Sequence, residues 1–353
     1  MTQFRLNRRA VLAAMTSGAL TGGLALHPSL AQDAAADKKR AKWQASIDKG
    51  LKWVAKTQSK RGHWTASNYP TAMTALAGVA LTASGSTTTQ GPYAKQIRNA
   101  VTFICDQSRK NGLIGDPVSD NRYTYGHGFS MLFLSQVLGE EEDMERREKL
   151  VDVLTRAVDF CAKAQTSAGG WGYMSAKDGN DFDEGSTTIT QVQGLRACRN
   201  AGIAVSKEII ERAKKYIIGC KNADGGISYS SKNLGTSRPA ITAASIAALY
   251  DAGATDDKQV PEMYEYAKKN LHGLTEGAGA FGHWHYTFLY YSQVVYRKGD
   301  AEWGPFRDRL YEKIVGEQAA DGSWSGNVGQ IYITSMNLTM LQLDRSLLPI
   351  YQR

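Results

Sequence analysis

Apolar positions alternate between two patterns along this chain. Trp43, Ile47, Leu51 and Val54 recur at spacings of four, four and three with lysines between them, as in a helix with one apolar face. Ile209, Ile210, Ala213, Tyr216 and Ile217 repeat the pattern. Between such stretches lie segments that are apolar or small on most faces: 72–83, 128–138, 188–201, 241–252, 286–296 and 331–343. Low charge all round predicts buried helices. Gly85, Gly139, Gly202, Gly253 and Gly299 follow five of them, where helix C-termini favour a left-handed residue.

A glycine-rich turn joins each amphipathic helix to the buried one after it. Its clear copies are Gln58 to Trp64, Gln165-Thr-Ser-Ala-Gly-Gly-Trp171 and Gln318-Ala-Ala-Asp-Gly-Ser-Trp324. Weaker copies run from Gln107 to Leu113, Cys220 to Ile227 and His272 to Phe281. The turns recur about every fifty residues, so one helix pair is the repeating unit. Glycine permits positive φ, a glutamine amide bonds exposed backbone at a helix end, and tryptophan buries a large area. The motif therefore predicts a structural staple. Six wet-outside, dry-inside pairs predict an all-α protein with two concentric helix rings, an α/α toroid. An open helical solenoid is the alternative, although solenoids of helix pairs repeat in ~34–47 residues.

These units resemble the QW-type repeats of the squalene cyclase and protein prenyltransferase superfamily. They are more similar still to small exported bacterial prenyltransferase/squalene oxidase repeat proteins. The resemblance covers the chain from about residue 38 to the C-terminus and is specific for the fold, weak for the activity. It implies buried helices lining a central cavity, with the turns that feed them opening at one end. Residues just before or early in those helices are then the candidates for ligand contact: Tyr69, Tyr123, Tyr125, His127, Arg238, His283, His285, Tyr286, Tyr290 and Tyr332.

The acidic run Asp181-Phe182-Asp183-Glu184 resembles the Asp-x-Asp-Asp motif of class II terpene cyclases. By position Asp183 would protonate an alkene, with Asp181 and Glu184 keeping a proton on the cluster. The run departs from the motif at Glu184 and in the Gly185-Ser186-Thr187 that follows. Helix capping accounts for the same residues.

His283-Trp284-His285 suggests a metal only from an extended turn, because i and i+2 diverge on a helix. No metal or other cofactor is expected. Tyrosine faces suit carbocations or sugars, and equally ordinary packing.

Composition narrows the function classes. A hydrophobic content of 42% supports one sizeable core. No run after residue 31 is long and apolar enough to span a membrane. The first 31 residues read as a twin-arginine export signal: Asn7-Arg8-Arg9, a mildly apolar stretch to Leu26 and a cleavage site near Ala31. Residues 32–37 are read as an Ala-rich spacer and 38–353 as the toroid. Loss of Arg5, Arg8 and Arg9 takes the formal charge from +8 to +5. The remaining lysines are spread over outer helices without interleaved aromatics, which argues against nucleic acid. Cys105, Cys161, Cys198 and Cys220 form no Cys-x-x-Cys pair. Export permits a disulfide, and Cys198 and Cys220, which end successive helices, are the expected partners.

The expected function is binding of a hydrophobic, isoprenoid-like small molecule in the cavity. The competing readings are cyclase-like protonation at Asp183, carbohydrate cleavage, and a structural or interaction module of the envelope. Replacing Arg8 and Arg9 by lysine should trap precursor in the cytosol, as read by fractionation and intact mass. Unchanged export would remove the twin-arginine assignment.

Overall fold

Glycine-rich turns break the helical periodicity at regular intervals, and the computed structural model shows the pairs this predicts. It describes residues 29–179, 181–254, 258–275 and 283–352. The twin-arginine segment lies outside the described residues, as does part of the fifth turn. Twelve α-helices are present among the described residues: α1 (Ser29–Thr57), α2 (Pro70–Thr82), α3 (Ala94–Asp106), α4 (Tyr123–Glu140), α5 (Met144–Ala164), α6 (Gly185–Asn200), α7 (Lys207–Gly219), α8 (Pro239–Asp251), α9 (Val260–Leu271), α10 (Trp284–Arg297), α11 (Asp300–Gly316) and α12 (Gln330–Leu341). Strands β1 (Ser228–Ser230) and β2 (Asn233–Ser237) form an antiparallel hairpin before α8. No described helix is long and apolar enough to cross a membrane. The expected spacer at 32–37 is helical and belongs to α1, consistent with alanine being the strongest helix former. Residues from Trp43 onward form one compact unit, which holds both helix rings.

The even-numbered helices are buried on nearly every face. Each packs against the next, α2 to α4, α6, α8, α10 and α12, and α12 packs back on α2. That last contact closes the ring and excludes the open solenoid. The fold is an α/α toroid. The inner helices all run the same way, because each is reached through an outer helix. Gly139 does not end its helix as expected, since α4 continues through Glu140.

The turns hold neighbouring pairs together. Gln165 Nε2 donates to Gly169 O in its own turn at 2.8 Å and to Ile209 O of α7 at 3.1 Å. Gln58 does the same between Gly62 O and Gln96 O of α3. Gln318 bonds Gly322 O and Ser46 O of α1, both at 2.9 Å, joining the last turn to the first outer helix. Gly169 adopts φ +98, and a Cβ there would sit 2.6 Å from Arg212 O of the next outer helix. Gly322 stands in the same relation to Lys49. Only glycine combines that φ with that approach.

The tryptophans complete each turn. Trp171 Nε1 donates to Cys161 O at 2.8 Å, and its backbone N–H donates to Thr188 Oγ1 at 2.9 Å. Trp64 pairs likewise with Val54 O and Thr74, and Trp324 with Ile314 O and Thr334. In two of the weaker copies Ile114 and Ile227 take the tryptophan's place, bonding His127 Nδ1 and Thr242 Oγ1. The expected Leu113 stands one residue short of that place.

At the C-terminal ends of the inner helices the ring is closed off. Arg297 of α10 pairs with Asp251 of α8 at 2.8 Å and donates to Ile350 O at 2.9 Å. Gln193 Nε2 reaches Asp251 and Gln293. A 3-10 turn at Pro349–Tyr351 packs against α6, with Tyr351 buried.

The four cysteines are free and buried. The expected Cys198–Cys220 bridge is absent for a geometric reason. Successive antiparallel helices put their C-termini at opposite ends, and the thirteen residues of α7 span about 20 Å. Cys198 instead accepts from Ser135 Oγ at 3.3 Å.

Trp171→Ala should cost about 3–5 kcal/mol, as a large core truncation, measured by urea unfolding. A loss below about 1 kcal/mol would mean that the staple is dispensable.

Candidate functional site

The inner helices leave a cavity of about 440 Å³ at their N-terminal ends. Its lining comes from all six. Tyr69, Ala72 and Met73 belong to the start of α2, Arg122, Tyr125 and Phe129 to α4, and Ser186 to α6. Arg238 and Ile241 come from α8, His283, Tyr286 and Thr287 from α10, and Tyr332 from α12. Loop residues Tyr173 and Tyr229 complete an aromatic wall. Six tyrosines and several aliphatic side chains make the lining largely apolar, the general character of a small-molecule site. Among the described residues that line it there is no carboxylate.

The tyrosines are tied to one another. Tyr173 and Tyr229 hydroxyls are in contact, and the Tyr125 and Tyr173 rings lie 5.9 Å apart. Tyr125 Oη meets Ser186 Oγ at 2.5 Å and donates to Glu184 at 3.4 Å. Arg122 stacks over Tyr173 at 4.6 Å and Arg238 over Tyr229 at 5.5 Å. Burial holds the Tyr125 and Tyr286 hydroxyls well above the ordinary phenol range, so both are neutral donors.

The acidic run separates into three anchors. Asp181, at φ +54, accepts from the Ser167 backbone at 2.8 Å and from its hydroxyl. These bonds lower its carboxyl below the ordinary range. Asp183 is fully buried yet is not part of the cavity lining. It accepts from Ser230 Oγ at 3.0 Å, Ser231 N at 2.8 Å and Ser231 Oγ at 2.6 Å, fastening the hairpin. Glu184 is the cap of α6, accepting from Ser186 N at 2.9 Å and from Thr187 N. Burial raises its carboxyl, with the bonds from Ser186 and Thr187 opposing. The expected cyclase acid at Asp183 thus faces serines. Glu184 is the member of the run that bonds the cavity wall, through Tyr125 and Ser186.

Of the expected contacts, Tyr69, Tyr125, Arg238, His283, Tyr286 and Tyr332 line the cavity. Four others do not. His127 turns outward to the Ile114 turn and to Ala157 O at 3.1 Å, and burial pushes its pKa down to about 4. It fills the place that threonine holds in the other turns. His285 faces Asn337 Oδ1 at 2.8 Å, on a different side of α10 from His283, so the two do not share an ion. Tyr290 lies one turn beyond Tyr286, its ring edge-on at 4.8 Å, buried beneath the lining. Tyr123 is likewise occupied, donating to Asp178 at 2.8 Å and accepting from Ser175 N at 2.6 Å. No group of ligands suited to a metal occurs among the described residues. Arg122, Tyr173 and Tyr229 are lining residues that the sequence did not point to.

No model of a known family matches the chain, and no curated protein sequence does. Solved structures match its fold. A type II terpene cyclase from Scytonema, in complex with geranylgeranyl dihydroxybenzoate, superposes with TM-score 0.58 at 14% identity over 89% of this chain and 99% of that one. An α-1,6-mannanase of Salegentibacter, in complex with α-1,6-mannotetrose, gives 0.64 at 11% over 86% and 99%. A D-mannose isomerase gives 0.58 at 10% over 86% and 97%.

Asp183→Asn should release the hairpin without unfolding the ring, at a cost of about 1–3 kcal/mol for leaving buried polar groups without their partner. Hydrogen exchange resolved to residues 228–237 reads it directly. Unchanged protection there would mean that the serine contacts do not hold the hairpin.

Proposed function

We propose that this chain is an exported toroid that binds a hydrophobic, isoprenoid-like molecule in its central cavity. The observation that carries this is the lining: tyrosine faces and aliphatic side chains around about 440 Å³, without a described carboxylate. Each CH₂ withdrawn from water contributes about 0.8 kcal/mol. Ten such groups give about 8 kcal/mol before association costs, and micromolar affinity is within reach. The terpene cyclase that shares the fold holds a geranylgeranyl compound, which supports the same ligand class here. Glycoside cleavage needs two carboxylates flanking the bond, and the described lining offers none. The twin-arginine start supports export, as does the resemblance to exported repeat proteins.

Catalysis is a second reading, favoured by one observation. Glu184 is a buried acid that touches Tyr125 and Ser186, and both of these line the cavity. A proton held there has a hydroxyl path to the ligand. On this reading the acid of a cyclase-like reaction is Glu184 rather than Asp183.

Geranylgeraniol should bind the full-length protein with a Kd on the order of micromolar, followed by native mass spectrometry and calorimetry. Met73→Trp, which fills the cavity, should weaken it at least about tenfold while the melting curve stays cooperative. Absence of binding, or equal binding by the filled variant, would overturn the reading.

A further inference from the structure

The N-termini of the inner helices carry an unusual set of residues. N-cap positions favour Asp, Asn, Ser or Thr, and cations are unfavourable there because the helix dipole is positive. Yet Arg122 is the N-cap of α4 and Arg238 the N-cap of α8. Both line the cavity. The N-caps of α2, α10 and α12 are Tyr69, His283 and Gly329, and in none of these five helices does the cap side chain bond the first turn. Among the six, only α6 has a carboxylate cap, Glu184. Six parallel helices thus direct their positive ends at one mouth, and two guanidinium groups are added where dipole and charge repel.

A second, independent feature points the same way. Tyr286 lines the cavity, is nine-tenths buried, and its hydroxyl has no hydrogen-bond partner among the described residues. A buried hydroxyl is costly to leave unmade, so a ligand oxygen is the natural acceptor. Beyond the mouth the wall turns apolar, with Met73 and Ile241, and Phe129 reaching furthest along its helix.

We propose that the cavity takes an anionic amphiphile: an apolar, isoprenoid-like chain carrying a carboxylate or phosphate head that is held between Arg122 and Arg238. This rests on the reading of the cavity as an isoprenoid site and adds the head group to it. The arginines pair with the head by charge-assisted hydrogen bonds, helix N-termini reinforce them, and Tyr286 donates to an oxygen where the chain begins.

Three probes test it on the full-length protein by calorimetry: geranylgeranoic acid, geranylgeranyl monophosphate and geranylgeraniol. The acid, the phosphate or both should bind about tenfold or more tighter than the alcohol at low salt, with the gap narrowing as salt rises. Whichever anion is preferred identifies the head. Arg238→Gln and Arg122→Gln should each weaken binding of that anion about tenfold more than they weaken binding of the alcohol. Arg238→Lys should keep part of the preference, which separates charge from fold. Equal affinity for all three probes would overturn the anionic head and leave the apolar site standing. An equal loss of anion and alcohol binding in the arginine variants, with melting curves unchanged, would also overturn it. Failure of every probe to bind the unmodified protein would overturn both readings.

Discussion

Everything in this structure depends on how closely one helix pair can approach the next. The approach is set where a turn glycine lies against a carbonyl of the neighbouring outer helix, as Gly169 does against Arg212 and Gly322 against Lys49. A side chain at either place would push the pairs apart. The adjoining glutamine then spans the gap with two hydrogen bonds from one amide. Because the last turn makes the same contact with α1 as internal turns make with their neighbours, the array bends back on itself. The mouth follows from that closure, since every inner helix begins at the same end.

The site is a by-product of packing that has been modified at specific places. Five of the turn-closing residues serve structure: Thr74, His127, Thr188, Thr242 and Thr334 each accept a backbone N–H from the turn. The residues a few positions earlier are freer to vary, because they face the void rather than a neighbouring helix. Tyr69, Arg122 and Arg238 occupy those positions. Side chains that hold the ring and side chains that meet a ligand therefore alternate within the same first turns.

Much of the architecture was legible because it is written in periodicity. Two kinds of helix, the glutamine-to-tryptophan spacing and six copies lead to the toroid without reference to any contact. The cavity was legible in part, because a helix start is visible in sequence but its rotation is not. His127 was misplaced for that reason. Aligning it with Thr74, Thr188, Thr242 and Thr334 would have revealed its role in the turn. The acidic run misled because adjacent residues in irregular backbone point in different directions. Asp181, Asp183 and Glu184 bond a turn, a hairpin and a helix end respectively. The hairpin left only a faint signal, being three and five residues long. The cysteine pairing failed on direction alone, since antiparallel neighbours do not share an end.

Closure of the ring by the contact between α12 and α2 also changes how the protein can come apart. In an open stack the terminal repeats each have one neighbour, and stability is close to a sum of repeat and nearest-neighbour terms. Such a stack frays from its ends, one interface at a time. A ring has periodic boundaries: every pair is interior, and removing any one of them breaks two interfaces together. Partial unfolding is therefore penalised twice for its first step and once for each step after it, the arrangement that turns a repeat array into a single cooperative unit.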